Sequence, residues 1–325
     1  MWRSGTSLMY ALLNKHPDIA LLYEGDLLLL RPLFWGTSSS SNWAARWEFW
    51  NNAISRHRMH QGQFAAWGRN LPTAAGCAYQ EYARAKNAAM CGEKSPNYYD
   101  RMLRLSRMFP DAKFLIVWRD PAAVCESVIR AGQKRDSWFI RRGMVLRALL
   151  GCRVLKRERD LLVKNNVAVH EIQYEKLVAD PSAELAGVCE FLNLPFSATM
   201  TSLEGADRSA IYSAEHHARV RSGEISRAHR KELLSPALKR KIARYIRLWR
   251  SQSSGRWPFY SVALDAAVSE PGIWERMRDG TAYRVLRGWD EFVVTIYCLA
   301  PLALLRKFRE MKFRGERKLA SQPAP

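Results

Sequence analysis

The strongest β-strand signal in the chain runs from Lys113 to Trp118, and the residues after it restrict the fold. The run is almost entirely apolar, and the charged turn Arg119-Asp120-Pro121 follows at once. Apolar residues then recur at helical spacing through Val124, Val128 and Ile129, with the proline near the first helical position. A strand, a short turn and a helix in this order form the unit from which parallel sheets are built.

The same alternation occurs elsewhere in the chain. Ile19 to Tyr23 and Val167 to Ile172 are short apolar runs that predict buried strands, and Pro181 to Leu192 predicts a helix. Such strands are buried in a parallel sheet when helices cover both of its faces. We therefore expect an α/β fold, in which a parallel sheet is flanked by helices and carries a helical insertion and a helical C-terminal extension.

The remaining segments carry weaker signals. Residues 36–76 contain a serine run and many tryptophans, which predicts a helical insertion or lid. The other expected elements are a polar loop at Cys91 to Pro96, a helix from about Tyr98 to Phe109, a turn at Tyr174 to Val178, a basic helix from about Ser235 to Trp249 and a linker at Ser251 to Gly255.

The chain begins with a glycine, hydroxyl and arginine cluster, Arg3-Ser4-Gly5-Thr6-Ser7, that leads into a helical pattern from Ser4 to Lys15. Backbone N–H groups and the positive end of a helix dipole would converge there, which suits a phosphate or sulfate group. The loop lacks the lysine with which G-x-x-x-x-G-K-[ST] loops reach the terminal phosphates of ATP or GTP. Taken alone, small hydroxyl residues before a helix usually form an ordinary N-cap.

Composition favours a polyanionic ligand without identifying it. The 325-residue chain is 48% hydrophobic and has a formal net charge of +20, which suits nucleotide phosphates, anionic lipid, acidic glycans or nucleic acid. Its six cysteines form no C-x-x-C pair and predict reduced thiols, and no His/Cys cluster has metal-ligand spacing. No signal-peptide pattern precedes Arg3, so we expect a cytoplasmic protein.

Four motifs together resemble sulfotransferases that use 3′-phosphoadenosine 5′-phosphosulfate (PAPS), in particular the group of tyrosylprotein, heparan and bacterial sulfotransferases. The resemblance runs from Arg3 to about Leu194, more weakly to about Trp249, and implies a P-loop-like sheet. The motifs, in chain order, are Arg3-Ser4-Gly5-Thr6-Ser7, His16-Pro17-Asp18 with Glu24, Glu93-Lys94-Ser95-Pro96, and Arg119 with Ser127.

The resemblance implies a role for each matched residue. The loop residues Arg3, Ser4, Gly5, Thr6 and Ser7 would bind the 5′-phosphosulfate end of the donor. Glu24 would be the catalytic base, with Asp26 as a nearby competitor, and Lys94 would neutralise charge on the transferring group. Arg119 and Ser127 would bind the 3′-phosphate, which a guanidinium fork and a hydroxyl suit. A late basic glycine segment places Arg221 near the same phosphate, by a looser match. No metal is expected.

The chain departs from the family pattern at its start. Family members normally carry a hydrophobic strand ahead of the Arg-Ser-Gly-Thr stretch, whereas only Met1 and Trp2 precede it here. We expect either that this strand is lacking or, preferably, that the start is misassigned and lies upstream. Residues 1–250 would form the sulfotransferase domain, and residues 251–325 a C-terminal extension with an apolar helix and a basic tail.

The sequence leaves the acceptor and two other functions open. A glycan, a glycolipid, a tyrosine or a small molecule could supply the hydroxyl group. A P-loop kinase or NTPase is an alternative, and so is a non-catalytic protein that binds a membrane or another polyanion; no specific nucleic acid is expected. Phe292 to Leu305 spans 14 residues, short of the ~20 that cross a bilayer. Peripheral membrane contact through residues 289–314 is therefore one expectation, and packing as a core helix is the other.

Overall fold

Parallel strands alternate with helices in the computed structural model, which describes residues 2–29, 47, 53–59, 71–133, 143–211, 220, 222, 223, 225, 233–252, 268–301, 303, 304 and 307. The strands are β1 (Ile19–Tyr23), β2 (Met90–Lys94), β3 (Phe114–Trp118) and β4 (Val169–Gln173). The α-helices are α1 (Thr6–Leu13), α2 (Ala53–Arg56), α3 (Leu71–Ala85), α4 (Met102–Met108), α5 (Pro121–Gln133), α6 (Met144–Lys164), α7 (Tyr174–Ala179), α8 (Pro181–Leu192), α9 (Pro236–Ser251) and α10 (Ile273–Leu299). Single 3-10 turns lie at Leu27–Leu29, Pro96–Tyr98 and Ala198–Thr201.

The strands form two parallel pairs. β1 pairs with β2, so that Tyr23 lies opposite Lys94, and β3 pairs with β4, so that Trp118 lies opposite Gln173. A cavity of about 650 Å³ separates the pairs; every residue of β2 and four of the five residues of β3 line it. Among the described residues, no strand joins β2 to β3. The carboxyl ends of both pairs lie at one edge, where the loop before α1 is found.

Several elements agree with the sequence. The predicted strand over Ile19 to Tyr23 and the predicted helix over Pro181 to Leu192 have the observed bounds. Asp180 is the N-cap of this helix, α8: its carboxylate accepts a hydrogen bond from the Ala183 N–H, and proline occupies the first turn. The parallel, helix-flanked α/β architecture is confirmed.

Two local predictions are wrong. The segment Cys91 to Pro96, expected to be a loop, contains most of strand β2, because its backbone pairs with the buried strand β1 although its side chains are largely polar. The segment Tyr174 to Val178, expected to be a turn, is helix α7, which follows β4 directly.

Three apolar cores hold these layers together. One lies between β3, α5, α6 and α9, and a second lies between β1, α3 and the 3-10 turn at Leu27–Leu29. The third is built around α1, six residues of which are buried, and contains residues of both strand pairs: Ile19 and Tyr23 from β1, Val117 from β3 and Ile172 from β4. Helix α1 therefore packs on both strand pairs.

The C-terminal helix α10 lies against the main body. The Tyr283 hydroxyl lies 2.6 Å from the Tyr99 hydroxyl, Val294 and Cys298 are buried, and Leu286 contacts Gly143 at the start of α6. No helix in the described part of the chain is both long and apolar enough to cross a membrane.

Candidate active site

The loop ahead of α1 has a backbone that glycine makes possible. Gly5 has φ = +94°, and a Cβ atom at this position would overlap the Tyr174 ring. Arg3 also has a left-handed backbone (φ = +64°), and Ser4 is buried. Gly5 is the N-cap of α1 and no side chain caps this end. The hydroxyl side chains of the cluster therefore do not cap α1, contrary to the ordinary N-cap interpretation. The N-terminal N–H groups of α1 point toward the loop.

A basic cluster forms where this loop meets β3 and α5. The Arg3 Nε donates a hydrogen bond to the Ser127 Oγ at 3.0 Å, and the Arg119 Nη1 donates one to the Arg3 carbonyl oxygen at 3.0 Å. The Arg119 guanidinium lies 4.3 Å from the centre of the Tyr174 ring. The Arg119 Nε is buried and has no hydrogen-bond partner among the described residues. Arg3 thus links Arg119 and Ser127 at the strand ends, and this cluster of basic and hydroxyl groups suits an anion.

A second cluster lies on the other side of the loop, at the ends of β1 and β2. The Lys94 ammonium group forms an ion pair with the Glu24 carboxylate and lies 3.3 Å from the Ser7 Oγ. It also lies 4.1 Å from the centre of the Tyr23 ring, whose hydroxyl is 2.8 Å from the Ser7 Oγ. The side chains of Lys94 and Glu24 are only 8% and 16% exposed. Burial lowers the pKa of Lys94 from its ordinary value.

The backbone at Glu24 is held in an uncommon conformation. Glu24 has φ = +46°, a left-handed backbone that residues other than glycine, asparagine and aspartate seldom adopt, and Asp26 has φ = +56°. The Arg56 Nη2 donates to the carbonyl oxygens of Tyr23 (2.6 Å) and Glu24 (2.9 Å) and so stabilises this bend. Glu93 accepts hydrogen bonds from the Asp26 N–H and, at 2.7 Å, from the Tyr79 hydroxyl. Such strain, held by surrounding contacts, is typical of functional sites.

Two buried carboxyl groups lie beneath the Glu24–Lys94 pair. Burial, together with the charge of Glu24, raises the pKa of Asp26 to about 6, and burial raises the pKa of Glu93 to about 7. The Asp26 carboxylate accepts hydrogen bonds from the Ser95 hydroxyl and from the Asn97 Nδ2, the latter at 2.8 Å. Asp26 and Glu93 are therefore engaged in holding the loops that carry Glu24 and Lys94.

A buried histidine supports β1 from behind. The His57 Nε2 accepts a hydrogen bond from the Tyr23 N–H at 3.0 Å, and burial lowers the pKa of His57 to about 3. His16, in the motif with Pro17 and Asp18, has a structural position as well: its Nε2 lies 2.8 Å from the Pro195 carbonyl oxygen.

The structure brings most of the sequence-predicted residues to one edge of the sheet. Arg3, Ser4, Gly5, Thr6 and Ser7 form the loop and the first turn of α1; Glu24 and Lys94 lie on one side of it, and Arg119 and Ser127 on the other. Arg221 lies outside the described residues.

Sequence reasoning missed three supporting side chains. Tyr174 packs against both Gly5 and Arg119, Tyr23 contacts both Ser7 and Lys94, and Arg56 holds the Glu24 bend. A signal existed for the two tyrosines, because each stands at the carboxyl end of a predicted strand. No local signal indicated Arg56, which comes from a separate short helix.

Comparison with known proteins gives consistent matches. The model of the Sulfotransferase family matches residues 1–198. A Caenorhabditis briggsae protein named "Putative protein-tyrosine sulfotransferase" is 25% identical over 61% of this chain and 65% of its own length. Protein-tyrosine sulfotransferase A of Caenorhabditis elegans is 24% identical over 60% of this chain and 48% of its own length. This chain thus spans between about half and two thirds of those relatives.

Two solved structures also resemble the chain. The sulfotransferase domain from the curacin biosynthetic pathway aligns over 76% of this chain and 94% of its own, at 18% identity and a TM-score of 0.48. The sulfotransferase domain from the Synechococcus PCC 7002 olefin synthase aligns over 88% of this chain and 91% of its own, at 19% identity and a TM-score of 0.46.

Proposed function

Because this chain belongs to the sulfotransferase family, we propose that it transfers a sulfuryl group from PAPS to a hydroxyl group of an acceptor. One observation carries the proposal. The five-residue loop Arg3–Ser7 contacts a basic cluster at one end, through Arg3, and the Glu24–Lys94 pair at the other, through Ser7. A donor with a phosphate at the 3′ position and a phosphosulfate at the 5′ position of one ribose requires two such adjoining sites.

The basic cluster suits the 3′-phosphate of this donor. The Arg119 guanidinium and the Ser127 hydroxyl supply hydrogen-bond donors, and the Tyr174 ring packs against that guanidinium. The uncapped N-terminus of α1 and the Ser7 hydroxyl suit the phosphosulfate end. These residues would hold the donor in a fixed orientation, from which positioning supplies much of the catalysis.

Glu24 is proposed as the base. In the transfer, the acceptor oxygen forms a bond to sulfur while the bond between sulfur and the bridging phosphate oxygen breaks. The electron pair of that bond leaves with the adenosine 3′,5′-bisphosphate, and the acceptor proton passes to the Glu24 carboxylate. Asp26 is less suited to this role, because its carboxylate is buried and bonded to Ser95 and Asn97.

Lys94 is proposed to stabilise the charge that develops during transfer. Its ammonium group lies between Glu24 and Ser7, and burial strengthens the interaction of a cation with an anion next to it. Lys94 also orients the Glu24 carboxylate through their ion pair.

Protein tyrosine is the first acceptor class to test. Relatives that match this chain at 24–25% identity carry the name protein-tyrosine sulfotransferase. Carbohydrate, glycolipid and small-molecule hydroxyl groups are the other classes, and a panel of tyrosine peptides, glycans and lipid extracts incubated with radiolabelled PAPS distinguishes them by the labelled product.

Donor binding can be tested without knowing the acceptor. In titration calorimetry with adenosine 3′,5′-bisphosphate, we expect Arg119→Lys to weaken binding at least tenfold, because lysine cannot supply a planar fork. The exposed Arg107 provides the matched control, and Arg107→Lys should bind like the wild type. Equal affinity in both variants, or no heat with the wild-type protein, would contradict the donor assignment.

The base is tested separately. Glu24→Gln should keep nucleotide affinity within a few-fold and lose about 10²-fold or more in transfer, the usual contribution of a positioned base. Unchanged turnover in this variant would show that Glu24 is not the base.

A further inference from the structure

The outward face of α10 is apolar, which is the reverse of the usual arrangement for a helix on a protein surface. Its residues at i, i+3 and i+4 spacing include Trp274, which is 79% exposed, Trp289 (58%) and Phe292 (54%). The other members of this outward stripe are Met277, Val285, Ile296 and Leu299, all exposed large hydrophobic side chains. From Trp274 to Leu299 the stripe runs about 38 Å along the helix. Exposed apolar surface of this extent indicates an interaction site.

The acidic residues of α10 lie on the side of the helix opposite the apolar stripe. All four of its acidic residues face the main body and are paired there: Glu275 with Arg244 at 2.8 Å, Asp279 with Lys241, Asp290 with Arg147 and Glu291 with Arg101 at 2.6 Å. The side of the helix that faces the body therefore carries these ion pairs beside the buried Val294 and Cys298. This attachment leaves the apolar stripe pointing outward.

The exposed charges beside the stripe are basic. Arg278 and Arg284 are exposed on the outward side, and Lys307 is exposed beyond the end of the helix. The sequence that follows Leu304 contains seven arginines and lysines, Lys307 included, and two glutamates, and none of the acidic residues of α10 is exposed. A helix with an apolar stripe that carries tryptophan and phenylalanine, and with basic rather than acidic neighbours, suits the interface of an anionic bilayer.

We propose that α10 lies flat on anionic phospholipid membranes, with the stripe from Trp274 to Leu299 inserted among the headgroups. A second copy of the chain is the competing occupant. It is disfavoured because two molecules, each with a net charge of +20, would bring Arg278 and Arg284 against their own counterparts. The proposal does not depend on the enzymatic activity.

Vesicle co-sedimentation tests the proposal with the full chain. We expect binding to vesicles of 70% phosphatidylcholine and 30% phosphatidylserine, and at least tenfold weaker binding to pure phosphatidylcholine. Trp289→Glu combined with Phe292→Glu should weaken binding at least tenfold. Phe196→Glu combined with Val163→Glu is the charge-matched control, because both side chains are exposed (40% and 49%) and neither belongs to the stripe; this variant should bind like the wild type.

A charge variant provides an independent test that leaves the apolar stripe intact. A basic residue close to an anionic surface contributes roughly fivefold in affinity, so Arg278→Glu combined with Arg284→Glu should weaken binding roughly 25-fold or more. Arg107→Glu combined with Arg153→Glu, at exposed positions on α4 and α6, should weaken binding less.

Three outcomes would overturn the proposal. The first is no binding of the wild-type protein to phosphatidylserine vesicles. The second is equal loss of binding in the stripe and control variants, which would indicate attraction by net charge alone. The third is a dimer in sedimentation velocity experiments that the stripe variant dissociates, which would assign the stripe to a second copy. Thermal unfolding of each variant identifies any that fails to fold. If the stripe variant fails, the binding of the Arg278→Glu, Arg284→Glu variant tests the proposal instead.

Discussion

Replacing Gly5 by alanine should destabilise the protein for two separable reasons. The left-handed backbone at Gly5 (φ = +94°) costs a residue with a Cβ atom about 1–2 kcal/mol. The new methyl group would in addition overlap the Tyr174 ring, and overpacking of this kind costs about 1–3 kcal/mol. The free energy of unfolding should therefore fall by about 2–5 kcal/mol in total, as measured by urea denaturation followed by circular dichroism.

Gly205 offers a control for the first of these costs. It too has a positive φ (+68°), but no atom lies within 4 Å of where its Cβ would be. Gly205→Ala should therefore lose about 1–2 kcal/mol only, and the difference between the two variants measures the overlap with Tyr174. Because the loop must shift to accept the methyl group, the affinity of Gly5→Ala for adenosine 3′,5′-bisphosphate should also fall at least tenfold. Equal destabilisation by both substitutions, with unchanged nucleotide affinity, would refute the packing of Tyr174 against this loop.

Further expectations concern the buried charges near the site. Lys94→Met should cost about 3–5 kcal/mol of stability because it leaves the Glu24 carboxylate unpaired; adding Glu24→Gln should recover part of that loss in urea denaturation, and no recovery would contradict the pairing. Burial raises the pKa of Asp26 from 3.8 to about 6 and that of Glu93 from 4.5 to about 7. At pH values between the ordinary and the raised pKa of each group, the folded protein binds more protons than the unfolded chain. The two carboxyl groups therefore make the free energy of unfolding fall as the pH rises from about 4 to about 7. Glu93→Gln should reduce this slope in denaturation curves measured at successive pH values, and an unaltered slope would count against a buried Glu93. His57 acts in the opposite sense: burial lowers its pKa from 6.5 to about 3, so the unfolded chain binds the extra proton between those values and the histidine makes stability rise with pH. His57→Asn should remove that rise, and a curve parallel to that of the wild type would contradict the assignment.

The sequence predicts the elements whose side chains are apolar enough to be buried. β1, β3 and α8 follow from short apolar runs and from the proline and aspartate signals at helix starts. β2 could not be found in this way, since Gly92, Glu93 and Lys94 are poor strand formers and their pairing partner lies about 70 residues earlier. Long-range pairing decides the conformation of such a segment, and a local window does not contain it.

The candidate site likewise contains residues that local patterns predict and residues that they do not. The motifs predict the residues at the strand ends, because parallel strands bring their carboxyl ends to one edge of the sheet. They do not predict Arg56, at the end of α2, or His57, directly after it, because this segment carries no motif. The expectation of a strand ahead of Arg3 stays a prediction. A parallel strand in the cavity between β2 and β3 would end at the edge where Arg3 lies, and expression with upstream codons tests it.

The position of α1 bears on how a change in one part of the site would reach the other. Its buried residues share one core with strands of both pairs. The loop ahead of α1 contacts Ser127 through Arg3 and Lys94 through Ser7. A substitution in the buried face of α1 would therefore disturb both clusters together, because close-packed interiors transmit such changes to whatever is attached to them.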